Sequence, residues 1–518
     1  MSRIKTALLS VSDKSGLIKL GTALSSFGIK ILSTGGSAKT LKNAGIDVIE
    51  VSDHTGFPEM LDGRVKTLNP IIHGGILAKR ESDDHMRTLK YHNIEAIDLV
   101  VINLYPFVKT IENLNSTYED AIENIDIGGP AMIRSSAKNH KDVTVVTSPE
   151  DYQPLIDELN KNNGEVSFDL KKEFALKAFE HTSSYDQAIY QYLHSINNSH
   201  EKFPKSISIH LAKSMDMRYG ENPHQEAAFY KHKTQYVGAL SNFDQIQGKE
   251  LSFNNLNDAE NAWECVKNMN TSSCVIVKHA NPCGVAMADK PKEAYLRAFM
   301  TDPTSAFGGI IAFNCKVDEE TAEEINKQFA EIIIAPNFSE DALRIFDSKK
   351  NLRVLKIPNK AGSDDYDFKK IGGGFLIQTP DQIEFNINAC EVVTKLKPNQ
   401  KQLNDMSFAW HVAQYVKSNA IIFCKDNMTL GVGAGQMSRV DSTRIASIKA
   451  ENAKLDLRNS VVASDAFFPF RDGIDVLAKF GAKCVIQPGG SVRDDEVIEA
   501  ANELGLVMLF TKVRHFKH

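Results

Sequence analysis

The sequence has few of the features that mark secreted or membrane proteins. Its seven cysteines all lie at or after Cys265, and no two of them form a CxxC pair. An odd and dispersed set of cysteines predicts reduced thiols in a cytoplasmic protein rather than a disulfide framework. No apolar run is long enough for a membrane helix. The opening residues also lack the apolar length and the small-residue cleavage site of a signal peptide.

Basic charge and metal-binding patterns are equally sparse. With 60 Lys and Arg against 66 Asp and Glu, the net charge is -6, so there is no basic field for nucleic acid. None of the 15 histidines belongs to an HExxH motif or to a paired Cys/His spacing, so we expect no metal. The 42% of hydrophobic residues and 24% of charged residues are ordinary for a globular protein, and 518 residues predict at least two domains.

The first part of the chain alternates short apolar runs with amphipathic segments. Lys14–Phe27 places Leu17, Leu20 and Leu24 on one helical face, and Gly36–Ala44 has similar spacing. This alternation predicts a doubly wound α/β domain over residues 1–196 that ends in a long helix, Phe168–Ile196. The polar segment 197–206 predicts a linker. The runs predicted as parallel strands are Thr6–Val11, Ile29–Leu32, Val48–Val51, Leu99–Leu104 and Val143–Val146.

The second part, residues 207–518, shows a faint internal repeat. CVIVKHANPCG (274–284) and AIIFCKDNMTLGVGAG (420–435) each contain an apolar strand, a basic residue and a polar turn with glycine, before a predicted helix. We therefore predict two related α/β halves in this region.

Lys278 and His279 stand side by side at the end of the first of these strands. Pro282 and Gly284 predict a turn directly after the pair, which would aim both side chains from a strand end. Such a pair suits attack on a carbonyl, because the imidazole moves a proton while the ammonium faces the oxygen on which charge develops. The alternative for an isolated Lys-His pair is a solvated strand end.

Five polar clusters in the first region follow predicted strands, where open α/β sheets bind ligands. The segment STGGSAKT offers hydroxyls and accessible N–H groups at a helix N-terminus, which suits a phosphate, and Lys14 can add a charge. The alternative is that these residues only cap the helix. The residues of this candidate phosphate site are Ser33, Thr34, Gly35, Gly36, Ser37 and Lys14.

The other clusters add charge and acid/base groups. Arg64 and Lys66, next to Thr67, would share one face of a strand and suit an anionic ligand. Lys66 would also join an acid/base pair and a phenol in one cleft, although each residue alone is more often an ordinary surface residue. The acid/base and polar candidates are Asp126, Lys138, Tyr105 and Asn103.

Ten motifs in this order closely resemble the bifunctional purine-biosynthesis family that joins AICAR transformylase to IMP cyclohydrolase. They are SVSDKSG, STGGSAKTL, DGRVKTLNP-IIHGG, NLYPF, DIGGPAMIRSSAKNH, RYGENPHQ, VKHANPCG, SNAIIFCK…GVGAGQMSR, SDAFFPFRDG and RHFKH. The resemblance spans essentially the whole chain. It implies a methylglyoxal-synthase-like cyclohydrolase domain over 1–196 and a transformylase over 207–518, built from two cytidine-deaminase-like halves.

The resemblance also implies roles for individual residues. Formyl transfer from 10-formyltetrahydrofolate to AICAR would use His279 as the base, Lys278 at the oxyanion and Asn419 to orient the formyl oxygen. In ring closure to IMP, Lys66 would polarise the forming oxyanion. Asp126, Lys138 and Tyr105 would handle protons, with their individual roles left open. The implied ligand contacts in the first region are Ser12, Lys14, Ser33 to Ser37, Arg64, Lys66, Thr67, Asn103 and Gly128. Those in the second are Arg218, Tyr219, Gly308, Glu331 and Arg514 for AICAR, and Asn419, Arg439, Phe467, Asp472 and Ser491 for the folate or its formyl group.

The family further implies a homodimer with small-molecule substrates and no required metal. Two departures from its pattern are visible. Asn69 stands where the family's KTLHP motif has His, which leaves the packing of that loop open, and the Glu331 position is Asp in some members. Arg514, in RHFKH after the apolar run LVMLF, is expected to turn inward from a sheet-bound tail.

The sequence offers two alternative functions, an enzyme of another class and a regulatory protein. A zinc nucleoside deaminase needs H-x-E and P-C-x-x-C, but position 281 is Asn and position 286 is Ala. A nucleotide-binding regulatory protein without zinc would fit the phosphate clusters but has no need of Lys278 and His279. The run from Gly431 to Gly435 lacks GxGxxG spacing, so it predicts a tight turn near a helix start rather than a dinucleotide loop.

Overall fold

The computed structural model describes residues 3–113, 115–197, 202–232, 236–359 and 366–518. The chain divides into two compact units, Met1–His210 and Leu211–His518. Residues 198–201 of the predicted linker lie outside the described residues, so the linker over 197–206 stays a prediction.

The first unit contains one parallel sheet flanked by helices. Its strands are β1 (Thr6–Val11), β2 (Lys30–Ser33), β3 (Ile49–Glu50), β4 (Leu99–Asn103) and β5 (Thr144–Val146). Its helices are α1 (Leu17–Ser26), α2 (Gly35–Asn43), α3 (Val51–Thr55), α4 (Pro70–Leu77), α5 (Asp83–Tyr91), α6 (Phe107–Glu112), α7 (Tyr118–Glu123), α8 (Gly128–Lys138), α9 (Tyr152–Lys161) and α10 (Phe168–Asn197). The strand order is β3-β2-β1-β4-β5, and every pairing is parallel.

The core of this unit lies on both faces of the sheet. Along β1, Leu8 packs into one buried cluster while its neighbour Leu9 packs into another. Successive side chains of a strand point to opposite faces, so a run that is apolar throughout fits a sheet covered on both sides. The predicted doubly wound α/β domain and its long final helix are confirmed.

Among the described residues, the second unit contains one twelve-stranded sheet and two separate two-stranded sheets. Its strands are β6 (Leu211–Met217), β7 (Ala227–His232), β8 (Asp244–Gln247), β9 (Ser273–Lys278), β10 (Asn281–Met287), β11 (Gly309–Phe313), β12 (Ala330–Ala335), β13 (Arg353–Lys356), β14 (Asp367–Ile371), β15 (Gly374–Gln378), β16 (Glu391–Val392), β17 (Ile421–Lys425), β18 (Met428–Gly433), β19 (Val461–Ser464), β20 (Cys484–Gln487) and β21 (Val507–Phe510). Its helices are α11 (Phe253–Lys267), α12 (Pro291–Thr301), α13 (Pro303–Ala306), α14 (Glu319–Asn326), α15 (Glu340–Asp347), α16 (Gln400–Ala413), α17 (Arg439–Asn452), α18 (Arg471–Lys479) and α19 (Asp494–Glu503).

The order of the twelve strands in this sheet reveals two halves of identical topology. It reads β16-β21-β20-β19-β17-β18-β10-β9-β11-β12-β13-β8, and β10 and β18 meet antiparallel at the centre. From the centre outward, each half has a hairpin, an antiparallel neighbour, two parallel strands and an antiparallel edge strand. The internal duplication predicted from the sequence is confirmed at the level of topology.

The two halves resemble each other in more residues than the two strand motifs alone indicated. Counterparts are 147 positions apart, as in Asp258 and Asp405, or Trp263 and Trp410. The two tryptophans lie in the same buried cluster on α11 and α16. Both helices also begin with a capping box, at Ser252 and at Asn399, again 147 positions apart. A capping box satisfies N–H groups that the first helical turn leaves without partners, so both helices start in the same way.

Two turn predictions are wrong. The turn after Lys278 consists of His279 and Ala280, whereas Pro282 and Gly284 lie inside β10, next to an irregularity in its pairing with β9. Likewise, Gly431 lies inside β18 rather than in a turn near a helix start. Each motif is therefore a hairpin, and the helix begins only after its second strand. None of the described helices is long and apolar enough to cross a membrane.

Candidate functional sites

The first candidate site lies where the parallel strands of the first unit end. The loop after β1 is fixed by Asn103, whose side-chain oxygen accepts hydrogen bonds from the N–H groups of Ser12 at 2.6 Å and Asp13 at 2.8 Å. Asn103 is the last residue of the neighbouring strand β4, so one amide joins two adjacent loops. These strand ends form the kind of crevice in which open α/β sheets bind ligands.

The candidate phosphate site is formed by the start of α2 and two lysines. A Cβ atom on Gly35 would lie 3.0 Å from the Lys66 ammonium, and one on Gly36 would lie 3.5 Å from the Lys14 ammonium. Two cations thus approach exposed backbone at a helix N-terminus, an arrangement that attracts anions. The hydroxyls of Ser33 and Ser37 are buried and bond to the carbonyl groups of Leu9 and Val11. Their hydroxyls therefore hold the fold together rather than pointing into the crevice.

Asp126 and Tyr105 form the acid/base part of this site. Burial raises the pKa of the Asp126 carboxyl, and hydrogen bonds from the N–H groups of Gly129 and Tyr105 oppose that shift. The pKa of the Tyr105 hydroxyl is raised by burial and by the nearby charges of Asp126 and Glu59. The phenol therefore stays protonated, and hence a donor, over a wide pH range.

Two residues that the sequence analysis did not select also shape this site. The carboxylate of Glu59 contacts the Lys66 ammonium at 2.7 Å. The hydroxyl of Tyr185, on α10, accepts a hydrogen bond from the Asp126 N–H and donates one to the Asn124 carbonyl group, both at 2.9 Å. Neither residue belongs to a motif, and a single acid or a helical aromatic gives no local signal of such a role.

Two predictions about this site are wrong for a single chain: that Arg64 and Lys66 share one face of a strand, and that Lys138 shares a cleft with Asp126. Arg64 and Lys66 lie in an irregular segment rather than on a strand, and Arg64 pairs with Glu123 while Lys66 pairs with Glu59, so the two cations do not share a face. Lys138 is exposed at the far end of α8 from Asp126. An 11-residue helix spans roughly 15 Å, so Lys138 does not share the Asp126 cleft.

The packing of the loop around Asn69 is clear. Its side-chain oxygen accepts a hydrogen bond from the Ile71 N–H at 2.8 Å, and Pro70 occupies the first helical position of α4. Asparagine is among the best N-cap residues, so the substitution fits this helix start. The neighbouring Thr67 is buried, and a Cβ on Gly128 would lie 2.7 Å from its hydroxyl oxygen.

The second candidate site lies at one end of the twelve-stranded sheet. Because β17 runs opposite to β9, the C-terminal end of β9 and the N-terminal end of β17 share this end of the sheet. The same reasoning brings the ends of the other strands to this edge. The predicted residues located here are Lys278, His279, Gly308, Glu331, Asn419, Arg439, Phe467, Asp472, Ser491 and Arg514.

Lys278 and His279 are held in different ways. The Lys278 ammonium donates to the carbonyl groups of Gly308 at 2.8 Å and Phe307 at 3.3 Å, which leaves one of its three N–H groups for a ligand. His279 is exposed and adopts a left-handed backbone with φ of 53°, as does Ala280 with φ of 54°. This conformation costs roughly 1–2 kcal/mol per non-glycine residue, so the surrounding structure must stabilise the turn.

The Asn419 segment is tied to a buried carboxylate. Asp465 is fully buried and accepts hydrogen bonds from the Ser418 hydroxyl at 2.5 Å and the Arg439 guanidinium at 3.2 Å. The Asn419 side-chain amide donates to the Gln436 carbonyl group at 2.9 Å. Neither Ser418 nor Asp465 was selected as a site residue, although they lie within the quoted motifs SNAIIFCK and SDAFFPFRDG.

The C-terminal tail differs from the prediction. It is not a strand, although backbone hydrogen bonds join Lys517 to Ser418 and His515 to Asp465. The tail turns His515 inward, whereas Arg514 is exposed, with its guanidinium 4.6 Å from the centre of the Phe516 ring. The expectation that Arg514 turns inward is therefore wrong.

The remaining predicted residues do not all converge within one chain. Arg218 follows β6 and packs over the Tyr219 ring at 5.3 Å, and Glu331 pairs with Arg353 at 3.0 Å. Glu331 lies on β12, while the tail that contains Arg514 bonds to the residue after β19, six strands away in the sheet. At about 4.8 Å per strand this separation is roughly 29 Å, which a single nucleotide does not bridge.

A cavity of about 970 Å³ in this unit does not include the candidate catalytic residues. It is lined by Asp381, Trp410, His411, Gln414 and His515 among others, and by none of Lys278, His279 or Asn419. Of the candidate catalytic pair, His279 is exposed and Lys278 is partly buried.

The segment 279–286, which partly resembles the zinc-deaminase signature, does not suit a metal. Cys283 is buried, and burial raises the pKa of its thiol to about 12, so it is a poor source of thiolate. No group of three or more His, Cys, Asp and Glu side chains suited to holding a metal ion occurs among the residues that the structure describes.

The fold is that of an α/β protein of two units, each with candidate site residues at the ends of its strands, and sequence comparisons specify its class. Residues 16–131 match the model of the MGS-like domain, and residues 136–449 match that of the AICARFT/IMPCHase bienzyme. Because the second match covers more than half of the chain, this protein belongs to the AICARFT/IMPCHase bienzyme family. A solved structure described as "Crystal structure of ForH" is 33% identical to it over 36% of this chain and 97% of that chain, with a TM-score of 0.33.

Family membership establishes the activity. The protein is a bifunctional formyltransferase and IMP cyclohydrolase that catalyses the last two steps of IMP synthesis, formyl transfer to AICAR and ring closure to IMP. Nothing in the comparisons supports the regulatory alternative.

Proposed function

We propose that formyl transfer takes place at the end of the twelve-stranded sheet where Lys278 lies, with 10-formyltetrahydrofolate as the formyl donor and His279 as the general base. The observation that supports this most directly is the exposed imidazole beside an ammonium that two carbonyl groups hold in place. The amine of AICAR is conjugated with its ring and is a poor nucleophile, so it needs a base as it attacks. His279 removes the amine proton while Lys278 faces the formyl oxygen.

Asn419 comes from the other half of the sheet and orients the formyl oxygen. The Lys417 N–H donates to the Asn281 side-chain oxygen at 3.0 Å, which couples the Asn419 segment to the hairpin that presents His279. Folate carries a flat aromatic ring, and the half-buried Phe467 offers an aromatic face beside the β17 end. Arg439, Asp472 and Ser491 complete the donor's contacts.

Ring closure takes place in the first unit. The exposed backbone of Gly35 and Gly36, with Lys14, binds the phosphate of formyl-AICAR, and Ser12, Asn103, Arg64 and Thr67 surround the remainder of the nucleotide. Lys66 faces the forming oxyanion. Asp126 accepts one proton of the attacking carboxamide nitrogen, and Tyr105, kept protonated by its raised pKa, donates one to the oxyanion. The resulting hydroxyl group then leaves as water together with a second N–H proton. Since closure is intramolecular, holding the carboxamide toward the formyl group supplies much of the acceleration.

The protein acts as a cytoplasmic homodimer whose transformylase sites include residues of two copies. All seven cysteines carry free thiols, which suits a reducing compartment. The wide separation of Glu331 from Arg514 and the exposure of His279 support a site that is incomplete in one chain. Gel filtration with light scattering should give the mass of a dimer, and a monomer retaining full activity would contradict it.

Separate assays of the two steps test these assignments. Replacing His279 by Ala should lower the turnover of formyl transfer by about 10²–10⁴-fold, the usual contribution of a general base. The same variant, supplied with formyl-AICAR, should close the ring at the normal rate. Conversely, Lys66→Ala should impair closure and leave formyl transfer intact. Near-normal transfer by His279→Ala, or near-normal closure by Lys66→Ala, would refute the corresponding role.

A further inference from the structure

A carboxylate lies directly beneath the turn that presents His279. Asp258, on α11, accepts a hydrogen bond from the Ala280 N–H at 2.7 Å and another from the His279 N–H at 3.3 Å. Ala280 is buried, so its N–H would have no water to replace this partner. Both N–H groups belong to left-handed residues, and the carboxylate therefore satisfies the donors of the strained part of the hairpin.

The same turn is connected to the second half of the site. Asn281 follows Ala280; its side-chain amide donates to the His279 carbonyl group at 3.2 Å, and its side-chain oxygen accepts from the Lys417 N–H at 3.0 Å. The turn that Asp258 fixes is thus bonded, through Asn281, to the segment from Lys417 to Asn419. A rotation of the turn would move the His279 imidazole and change its position relative to the Asn419 side-chain amide.

We propose that Asp258 is a positioning residue for formyl transfer, which fixes the His279–Ala280 turn so that the imidazole meets the AICAR amine. This inference rests on the proposed role of His279. Each carboxylate oxygen of Asp258 accepts an N–H group of this turn, so the effect of Asp258 is exerted through the hairpin.

The repeat provides an internal comparison. In the second half, Asp405 on α16 accepts a hydrogen bond from the Asn427 N–H at 2.8 Å, and Asp426 and Asn427 adopt left-handed φ angles of 57° and 55°. This turn matches His279–Ala280 in position, but an aspartate replaces the histidine. The fold thus uses the same support twice, and only one copy presents a proton-accepting imidazole.

Asp405 therefore provides a matched control for a test in the full-length protein. Asp258→Ala should lower the kcat of formyl transfer by about 10–10²-fold, because small misplacements of a catalytic group have effects of this size. The KM for AICAR should stay within about twofold, since the substrate contacts remain. Asp258→Asn keeps one acceptor oxygen and should show a smaller loss. Asp405→Ala and Asp405→Asn should lower the melting temperature comparably but leave kcat unchanged.

A double-mutant cycle separates positioning from general support of the fold. If Asp258 acts through His279, adding Asp258→Ala to His279→Ala should cause little further loss of turnover. Additive losses, an unchanged kcat in both Asp258 variants, or an equal loss of kcat in the Asp405 variants would overturn the inference. If Asp258→Ala does not fold, Asp258→Asn decides the matter by the same readouts. Normal turnover in His279→Ala alone would instead remove the proposed function on which the inference depends.

Discussion

At the scale of single residues, the two sites place charge in opposite ways. In the first unit, Asp126 is partly buried, and burial raises the pKa of its carboxyl group. In the second, the Lys278 ammonium stays partly exposed and is held by two carbonyl groups. A withdrawn carboxylate is a stronger base in its ionised form, whereas a fixed ammonium can stabilise an oxyanion without rearranging.

The raised pKa of Asp126 has a consequence for stability. The carboxyl group favours the folded state when protonated, and this contribution is lost as the pH rises through the folded-state pKa. Asp126→Asn mimics the protonated form at every pH. Its melting temperature should therefore exceed that of the wild type at pH 7, and the difference should shrink toward about pH 4, near the ordinary aspartate pKa.

Thermal unfolding across this pH range measures the effect, and assays of closure supply the functional counterpart. Loss of the base should slow ring closure by about 10²–10⁴-fold while formyl transfer is unchanged. A variant that is less stable than the wild type at pH 7 would show that ionised Asp126 is not penalised by burial.

At the scale of elements, each half of the large sheet brings a helix close to its central hairpin. A Cβ on Gly284, in β10, would lie 2.0 Å from the Ala298 carbonyl oxygen of α12. Its counterpart Gly431, in β18, would place one 2.3 Å from the Ala446 oxygen of α17. Both glycines are therefore required by helix packing, and neither marks a turn.

Gly284→Ala should accordingly destabilise the second unit by about 1–3 kcal/mol or more, since backbone atoms cannot move aside as a flexible side chain can. Gly372→Ala is the control, because no atom lies within 4 Å of its added Cβ. Denaturant unfolding compares the two variants. An equal, small effect for both would contradict the close packing of α12 on β10.

Much of the element structure follows from the sequence, and its errors have physical causes. The strands of the first unit are apolar runs buried on both faces, a signal that needs no tertiary information. Pro282 and Gly284 led to a wrong turn prediction because they are typical turn residues, whereas the close approach of helix α12 requires glycine at position 284 of the strand. Asp258 and Tyr185 left no signal, because their partners are backbone groups distant in sequence. Glu59 left none because it lies seven positions before Lys66 in an irregular segment, where no regular spacing relates the two.

At the scale of the whole molecule, the proposed assignment divides the two reactions between the units and predicts that a second copy of the chain completes the transformylase site. Within one chain, Glu331 and Arg514 lie too far apart to bind the same nucleotide. If both bind AICAR, each transformylase site takes one of them from each copy. Symmetric dimers permit such sharing, because the same surfaces meet twice.

Complementation tests this arrangement. Glu331→Ala and Arg514→Ala should each bind AICAR weakly, but a mixed dimer of the two would contain one site with both residues intact. Random pairing in a co-expressed sample should restore about a quarter of the sites. Active-site titration would measure that fraction, and no recovery above the separate variants would place both residues in one copy or remove one of them from the site.

The central claim is that Lys278 and His279 face the substrate amine together at the edge of the large sheet. A crystal structure of the full-length protein with AICAR bound tests it most directly. We expect a ring nitrogen of His279 within about 3.2 Å of the exocyclic amine, with Lys278 on the side where the formyl oxygen would lie. AICAR bound in the second unit with this pair pointing to bulk water would contradict the account.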